Sequence, residues 1–179
     1  MAVDHPLHRL IGTIISQLDV PNAHVVLDTA CGGNQRIQLF CKNEKSHKSC
    51  VCYVDAVVLL NEQVKVIVEI EESDIRPVHL CGKVFVSALA THFIHRQDCY
   101  RMADRVFFVQ VIDTSSKSET ASKLPQCRNL EPLIQGFLRA GNVNIQYDIF
   151  YGGISQFECA EESDQQDLVE HIRQAVTHA

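Results

Sequence analysis

Two apolar runs separated by three polar residues constrain this chain most. Val54-Asp55-Ala56-Val57-Val58-Leu59-Leu60 and Val64-Lys65-Val66-Ile67-Val68-Glu69-Ile70-Glu71-Glu72 flank Asn61-Glu62-Gln63. Runs this rich in Val, Ile and Leu around so short a break read as an antiparallel hairpin. Alternation then assigns the faces. Even positions Ala56, Val58, Leu60, Val64, Val66, Val68 and Ile70 make one apolar face. Odd positions place Asp55, Lys65, Glu69 and Glu71 among Val57, Leu59 and Ile67. With a three-residue loop, Asp55 falls opposite Glu69 on the face that Glu71 shares. Like charges about 5 Å apart at Cβ repel, so something must offset them.

A divalent cation, a shared proton or a nearby base would do so. Carboxylates at that spacing suit magnesium or manganese, which prefer oxygen ligands and keep several waters. The plain alternative is a strand end whose acids, Asp55, Glu69, Glu71 and Glu72, point into water.

The hairpin resembles the core of the PD-(D/E)xK nuclease superfamily, the restriction-endonuclease-like fold. There, an Asp on one strand is followed one hairpin later by an acid, one intervening residue and usually Lys. The matching positions are Asp55, Glu69 and Glu71. The resemblance implies an α/β fold with a mixed sheet flanked by helices. It also implies a Mg- or Mn-dependent DNA endonuclease in which Asp55 and Glu69 bind metal and Glu71 helps orient or activate water. Two departures stand out: Val54 precedes Asp55 where the motif has Pro, and Glu71 replaces Lys. Lys83 is the cation expected to stand in.

Lys83 lies in a segment that reads as a helix from Pro77, a favourable first helical residue, to about His95. His79, Lys83, Ser87, Thr91 and His95 recur every fourth position, giving one polar stripe on a largely buried helix. Gly82 within it is costly to helicity and points to close packing. The alternative for Lys83 is an ordinary solvent-facing residue.

The 179 residues, 46% of them apolar, read as one domain, 1–179. No run reaches transmembrane length and the start lacks a signal-peptide layout, so a cytoplasmic protein without a membrane span is expected. A net charge of −6 argues against a protein that coats nucleic acid, because non-specific affinity comes from phosphate neutralisation. A locally basic cleft is still open to it. Lys42, Lys45, Lys48 and His47 form one basic cluster, and His92, His95, Arg96, Arg101 and Arg105 another. Glu158, Glu161, Glu162, Asp164, Asp167 and Glu170 make the C-terminal segment acidic, a helix expected to face away from DNA.

Elsewhere the pattern predicts a helix over 4–18, strands over 24–29, 36–41 and 105–113, and a mobile loop over 114–122. A helix over 130–140 capped by Gly141, a strand over 142–151 and the closing acidic helix complete it. Asp4 is the first helix's one acid and is not carried over to the metal site. Among eight cysteines, Cys41, Cys50 and Cys52 lie close to His47, so a zinc site is weighed against ordinary thiols. Cys31, Cys81, Cys99, Cys127 and Cys159 read as packing residues. A non-catalytic module on the same fold, binding nucleic acid or protein and zinc-stabilised in one version, is the alternative to the nuclease. Double-strand cleavage would call for two active sites, hence a homodimer.

Overall fold

The computed structural model describes residues 5–72, 75–115, 120–158 and 163–177. Asp4, Cys159, Glu161 and Glu162, together with the side chain of Asp164, lie outside the described residues, as does 116–119 of the expected loop. The architecture is mixed α/β, an eight-stranded sheet flanked by helices. In chain order come α1 (Pro6–Ser16), β1 (Ala23–Leu27), β2 (Ile37–Phe40), β3 (Cys50–Val54), β4 (Ala56–Leu60) and β5 (Gln63–Glu71). They are followed by α2 (Pro77–Ser87), β6 (His92–His95), β7 (Asp98–Ile112), α3 (Thr120–Ala140), β8 (Ile145–Tyr151), α4 (Ile154–Glu158) and α5 (Ser163–Thr177).

The expected hairpin is β4–β5, with a difference at its turn. Only Asn61 and Glu62 form the loop, with φ of 49° and 61°, the left-handed pair a tight two-residue turn demands. Gln63 already pairs with Leu60. A bulge then inserts Lys65: Leu59 faces Val64, but Val58 faces Val66 and Ala56 faces Val68. Carrying that register one residue further sets Asp55 across from Glu69, where the three-residue loop would also have put it. The bulge has a second effect. Val64 turns to the face of Val57, Leu59 and Ile67, while Ala56, Val58, Val66, Val68 and Ile70 keep the other.

β5 lies centrally, antiparallel to β4 and parallel to β7, and β7 is parallel to β8 along Val106–Ile112. The start of β7 pairs instead with β6, which leads to β2 and β3. One sheet face packs Leu7, Ile11, Ile14 and Ile15 of α1 against Leu168, Ile172 and Val176 of α5. The other receives α2 and α3 through Val84, Ile134 and Leu138. Gly12 matters here: a Cβ on it would collide with the Cys31 carbonyl, so glycine lets α1 settle against the loop after β1.

Three expectations are corrected. The helix from Pro77 stops at Ser87, and Thr91 and His95 belong to a hairpin arm, with β6 paired to β7 around Arg96 at φ 54°. In sequence, the alternating His-Phe-Ile-His of β6 is continuous with the apolar run before it. β7 accordingly begins seven residues before the expected Arg105. Third, α3 starts at Thr120 despite Pro125, because Leu124 and Cys127 find partners in Leu80 and Ile112; tertiary packing overrides the polar local composition. At its end Asn142, not Gly141, takes the left-handed conformation. A Cβ on Gly82 would meet nothing within 4 Å, so close packing is not its reason.

Candidate active site

Asp55 sits at the break between β3 and β4, held on both sides. Its N–H donates to the Val68 carbonyl (3.2 Å) and its carbonyl accepts from Asp28 N–H (2.9 Å). Its Oδ2 accepts from the Ile70 N–H at 2.7 Å, taking a ladder place that β4 does not reach. Among the described residues the other oxygen, Oδ1, accepts no hydrogen bond.

Glu69 and Glu71 project from β5 toward α2. Glu69 is almost wholly buried, with 3% of its side chain exposed, a costly place for a carboxylate unless it is compensated. Lys83 supplies that compensation. Its Nζ lies 2.6 Å from Glu69 Oε2 and 2.8 Å from Glu71 Oε1. α2 brings it there because its polar stripe runs from solvent into the fold: His79 is exposed, Lys83 partly exposed and Ser87 buried. Burial, then the charge of Asp55, push the Glu69 pKa well above the usual carboxylate value, and Lys83 opposes both. Burial works against the Lys83 ammonium in turn, but Glu69 and Glu71 outweigh it and raise its pKa above that of an ordinary lysine.

The network continues inward. Gln110, fully buried on β7, reaches Glu71 Oε1 at 3.4 Å through Nε2, and its Oε1 accepts from the Tyr147 hydroxyl of β8 at 2.8 Å. Lys83, Glu71, Gln110 and Tyr147 thus form one polar chain across β5, β7 and β8. Sequence reasoning missed Gln110 and Tyr147. Gln110 carried a signal, being the lone polar residue within Val106–Ile112.

On the other side of the same strand end, Glu72 anchors α1. Its Oε1 accepts from the Leu7 N–H at 2.8 Å, and its Oε2 lies 2.9 Å from His8 Nδ1 and 3.3 Å from His5 Nδ1. His8 also points Nε2 toward Asp55 Oδ2, at 3.6 Å. Neither histidine was singled out from the sequence.

Among the described residues, His5, His8 and Glu72 are the one trio of ligand groups whose atoms all lie within 4.8 Å of one another. Asp55, Glu69 and Glu71 face one another more loosely. Cys41, His47, Cys50 and Cys52 are not gathered into such a set either: the Cys50 thiol turns to the Cys52 carbonyl at 3.8 Å, and Cys52 Sγ meets Ser87 Oγ at 3.5 Å. Burial raises the pKa of both thiols, that of Cys52 to about 11. Cys31 and Cys127 are packing residues as expected; Cys99 is exposed and donates to Asn43.

The two basic clusters lie away from the carboxylates. Arg101 faces Gln63, six residues before Glu69 along β5, or about 20 Å at a strand's rise. Arg96 occupies the β6–β7 turn beyond it, and Lys45 stands close enough to share the field at His95, whose pKa is lowered by burial, Arg96 and Lys45 against the pull of Asp98. Closer to Asp55 is the exposed Arg36, which lines a shallow depression with Asp28, Thr29, Ile37, Tyr53, Val54 and Asp55. Among the described residues no helix is long and apolar enough to cross a membrane. No protein-family model, curated protein or solved structure matches the chain.

Proposed function

We propose that this protein is a magnesium- or manganese-dependent nuclease that hydrolyses phosphodiester bonds of DNA. One observation carries the reading: a lysine from α2 places its ammonium between Glu69 and Glu71, next to the strand position across which Asp55 lies. The cation that the Glu-x-Glu motif lacks in sequence is thereby present in space.

The donor set fits a hard divalent ion. Two carboxylates from adjacent strands, one nearly desolvated and one with Oδ2 already oriented by a backbone amide, offer oxygen ligands and leave room for water and substrate. Asp55 and Glu69 would hold the ion, which would supply charge stabilisation at the phosphoryl oxygens and a more acidic bound water. Lys83 holds Glu69 in place and presents a positive charge toward the scissile phosphate. Glu71, whose Oε1 is occupied by Lys83 and Gln110, keeps Oε2 to accept a proton from the attacking water. Arg36, beside Asp55, is placed to contact a neighbouring phosphate.

The test combines calorimetric titration of magnesium and manganese with cleavage of single- and double-stranded DNA. Wild type should bind the ions and cut. Asp55→Asn, which keeps an oxygen for the Ile70 amide, should do neither while retaining its circular dichroism. Full activity in that variant would sink the assignment.

A second reading, a non-catalytic nucleic-acid- or protein-binding module, is favoured by the same lysine. With Lys83 neutralising both glutamates, the cluster is satisfied as it stands. Tight DNA binding without cleavage under any divalent ion would select it.

A further inference from the structure

The trio on the α1 side has a chemistry of its own. His5 and His8 stand three residues apart at the start of α1, a spacing that puts both on one face. Both direct Nδ1 at a single atom, Glu72 Oε2, from 3.3 and 2.9 Å, and their rings lie 5.0 Å apart. Two imidazole nitrogens and a carboxylate oxygen converging in this way suit a borderline divalent transition ion such as zinc. A tetrahedral ion with bonds of about 2.1 Å spreads its ligands about 3.4 Å apart. The His5 to Glu72 separation already matches, and the His8 separation needs to open by roughly half an ångström.

We propose that His5, His8 and Glu72 form a zinc-class metal site at the base of α1, separate from the carboxylates that face α2. The groups behind the ligands fit the role. Glu72 Oε1 is held by the Leu7 amide, which fixes the carboxylate and leaves Oε2 for the ion. With Nδ1 on the metal, His8 would keep its Nε2–H facing Asp55 Oδ2, now 3.6 Å away, so that a small approach completes the carboxylate–histidine–metal arrangement that orients a ligating imidazole. His8 and Glu72 are mostly buried, while His5 is 40% exposed, so the ion enters from the His5 side and solvent completes its coordination. The positive end of α1 works against a cation, but Glu72 already caps that end and brings the negative charge the ion needs. The ion would replace the two imidazole contacts at Glu72 Oε2 with three metal–ligand bonds and tie α1 to the end of β5. None of this depends on the nuclease reading.

The experiment titrates zinc, and cobalt as its spectroscopic stand-in, into the reduced full-length protein. Wild type should bind one equivalent and develop the visible bands of tetrahedral cobalt without a thiolate charge-transfer band. His5→Ala, at an exposed position, and Glu72→Gln, which keeps an acceptor for the Leu7 amide, should each weaken zinc binding by about 100-fold. Asp55→Asn, which removes no zinc ligand but alters the group behind His8 as well as the magnesium site, should weaken zinc binding by about 10-fold. Glu69→Gln should leave zinc affinity unchanged while removing magnesium binding, which separates the failure of one site from that of the other. Failure of wild type to bind zinc, unchanged affinity in His5→Ala and Glu72→Gln, or a thiolate band that disappears in Cys50→Ser/Cys52→Ser would each overturn the proposal.

Discussion

Four acids converge where β4 begins and β5 ends, and the two sides of that strand end compensate them differently. Toward α2, Glu69 and Glu71 are met by the ammonium of Lys83. Toward α1, Asp55 and Glu72 are met by His8, with His5 joining at Glu72. A protonated lysine is a compact, strongly hydrated charge with no lone pair to offer a divalent ion. An imidazole can exchange its proton for a metal. The α2 side thus sets a fixed positive charge against its carboxylate pair, and the α1 side sets imidazoles against its own.

The comparison can be broken, first, by removing the α2-side acid. Glu69→Gln should reduce metal-dependent cleavage by on the order of 10²- to 10³-fold, measured as initial rate at saturating magnesium. Cleavage that survives would mean that the α2 side is structural. Second in size is the loss of the cation. Lys83→Met leaves two carboxylates without their cation and should cost about 2–3 kcal/mol in denaturant unfolding, less than a fully buried pair because a third of Lys83 remains in water. The cost should shrink at low pH. Glu69 has a folded pKa above its unfolded value, so lowering the pH from neutrality protonates the native state before the unfolded one and returns stability. The deficit of Lys83→Met should therefore be smaller at about pH 5 than at about pH 8. In the wild type the Lys83 contribution has the complementary window. On the alkaline side its raised folded pKa keeps that contribution in place up to the ordinary lysine value, and it is lost as pH rises through the folded one.

A third change tests the α1 side without touching an acid. Gly12→Ala drives a methyl group into the Cys31 carbonyl and should cost about 1–3 kcal/mol, displacing α1 and with it His5 and His8. Zinc affinity should fall in this variant while magnesium affinity holds. The smallest expected effect is that of Tyr147→Phe, which strips the donor from Gln110 Oε1 and should cost about 1–2 kcal/mol in thermal or chemical unfolding. Its cleavage rate should change little, since three residues separate it from Glu69 in the polar chain.

The approach of Asp55 to Glu69 was legible because a period of two leaves few registers that bury one face, and those registers share a parity. It survived a wrong turn length: the loop is one residue shorter than read, and the bulge at Lys65 restores the register. Lys83 was legible from the four-residue polar stripe of α2, though the stripe ended at Ser87 and its continuation through Thr91 and His95 was coincidence. The basic clusters were legible as clusters but not as places. Only the parallel pairing of β5 with β7 puts Arg101 and the Arg96 turn at the far end of the sheet from the carboxylates.

By itself, then, the sequence determined the alternating faces of the hairpin apart from Val64, the mixed α/β class and the acids that share a strand end. Each follows from local periodicity and from the cost of burying charge. The tertiary structure alone decided what stands beside those acids. Gln110 and Tyr147 come from strands far along the chain, and His5 and His8 from a helix 64 or more residues before Glu72. Contacts of that separation are set by how apolar faces pack, and no local pattern encodes them.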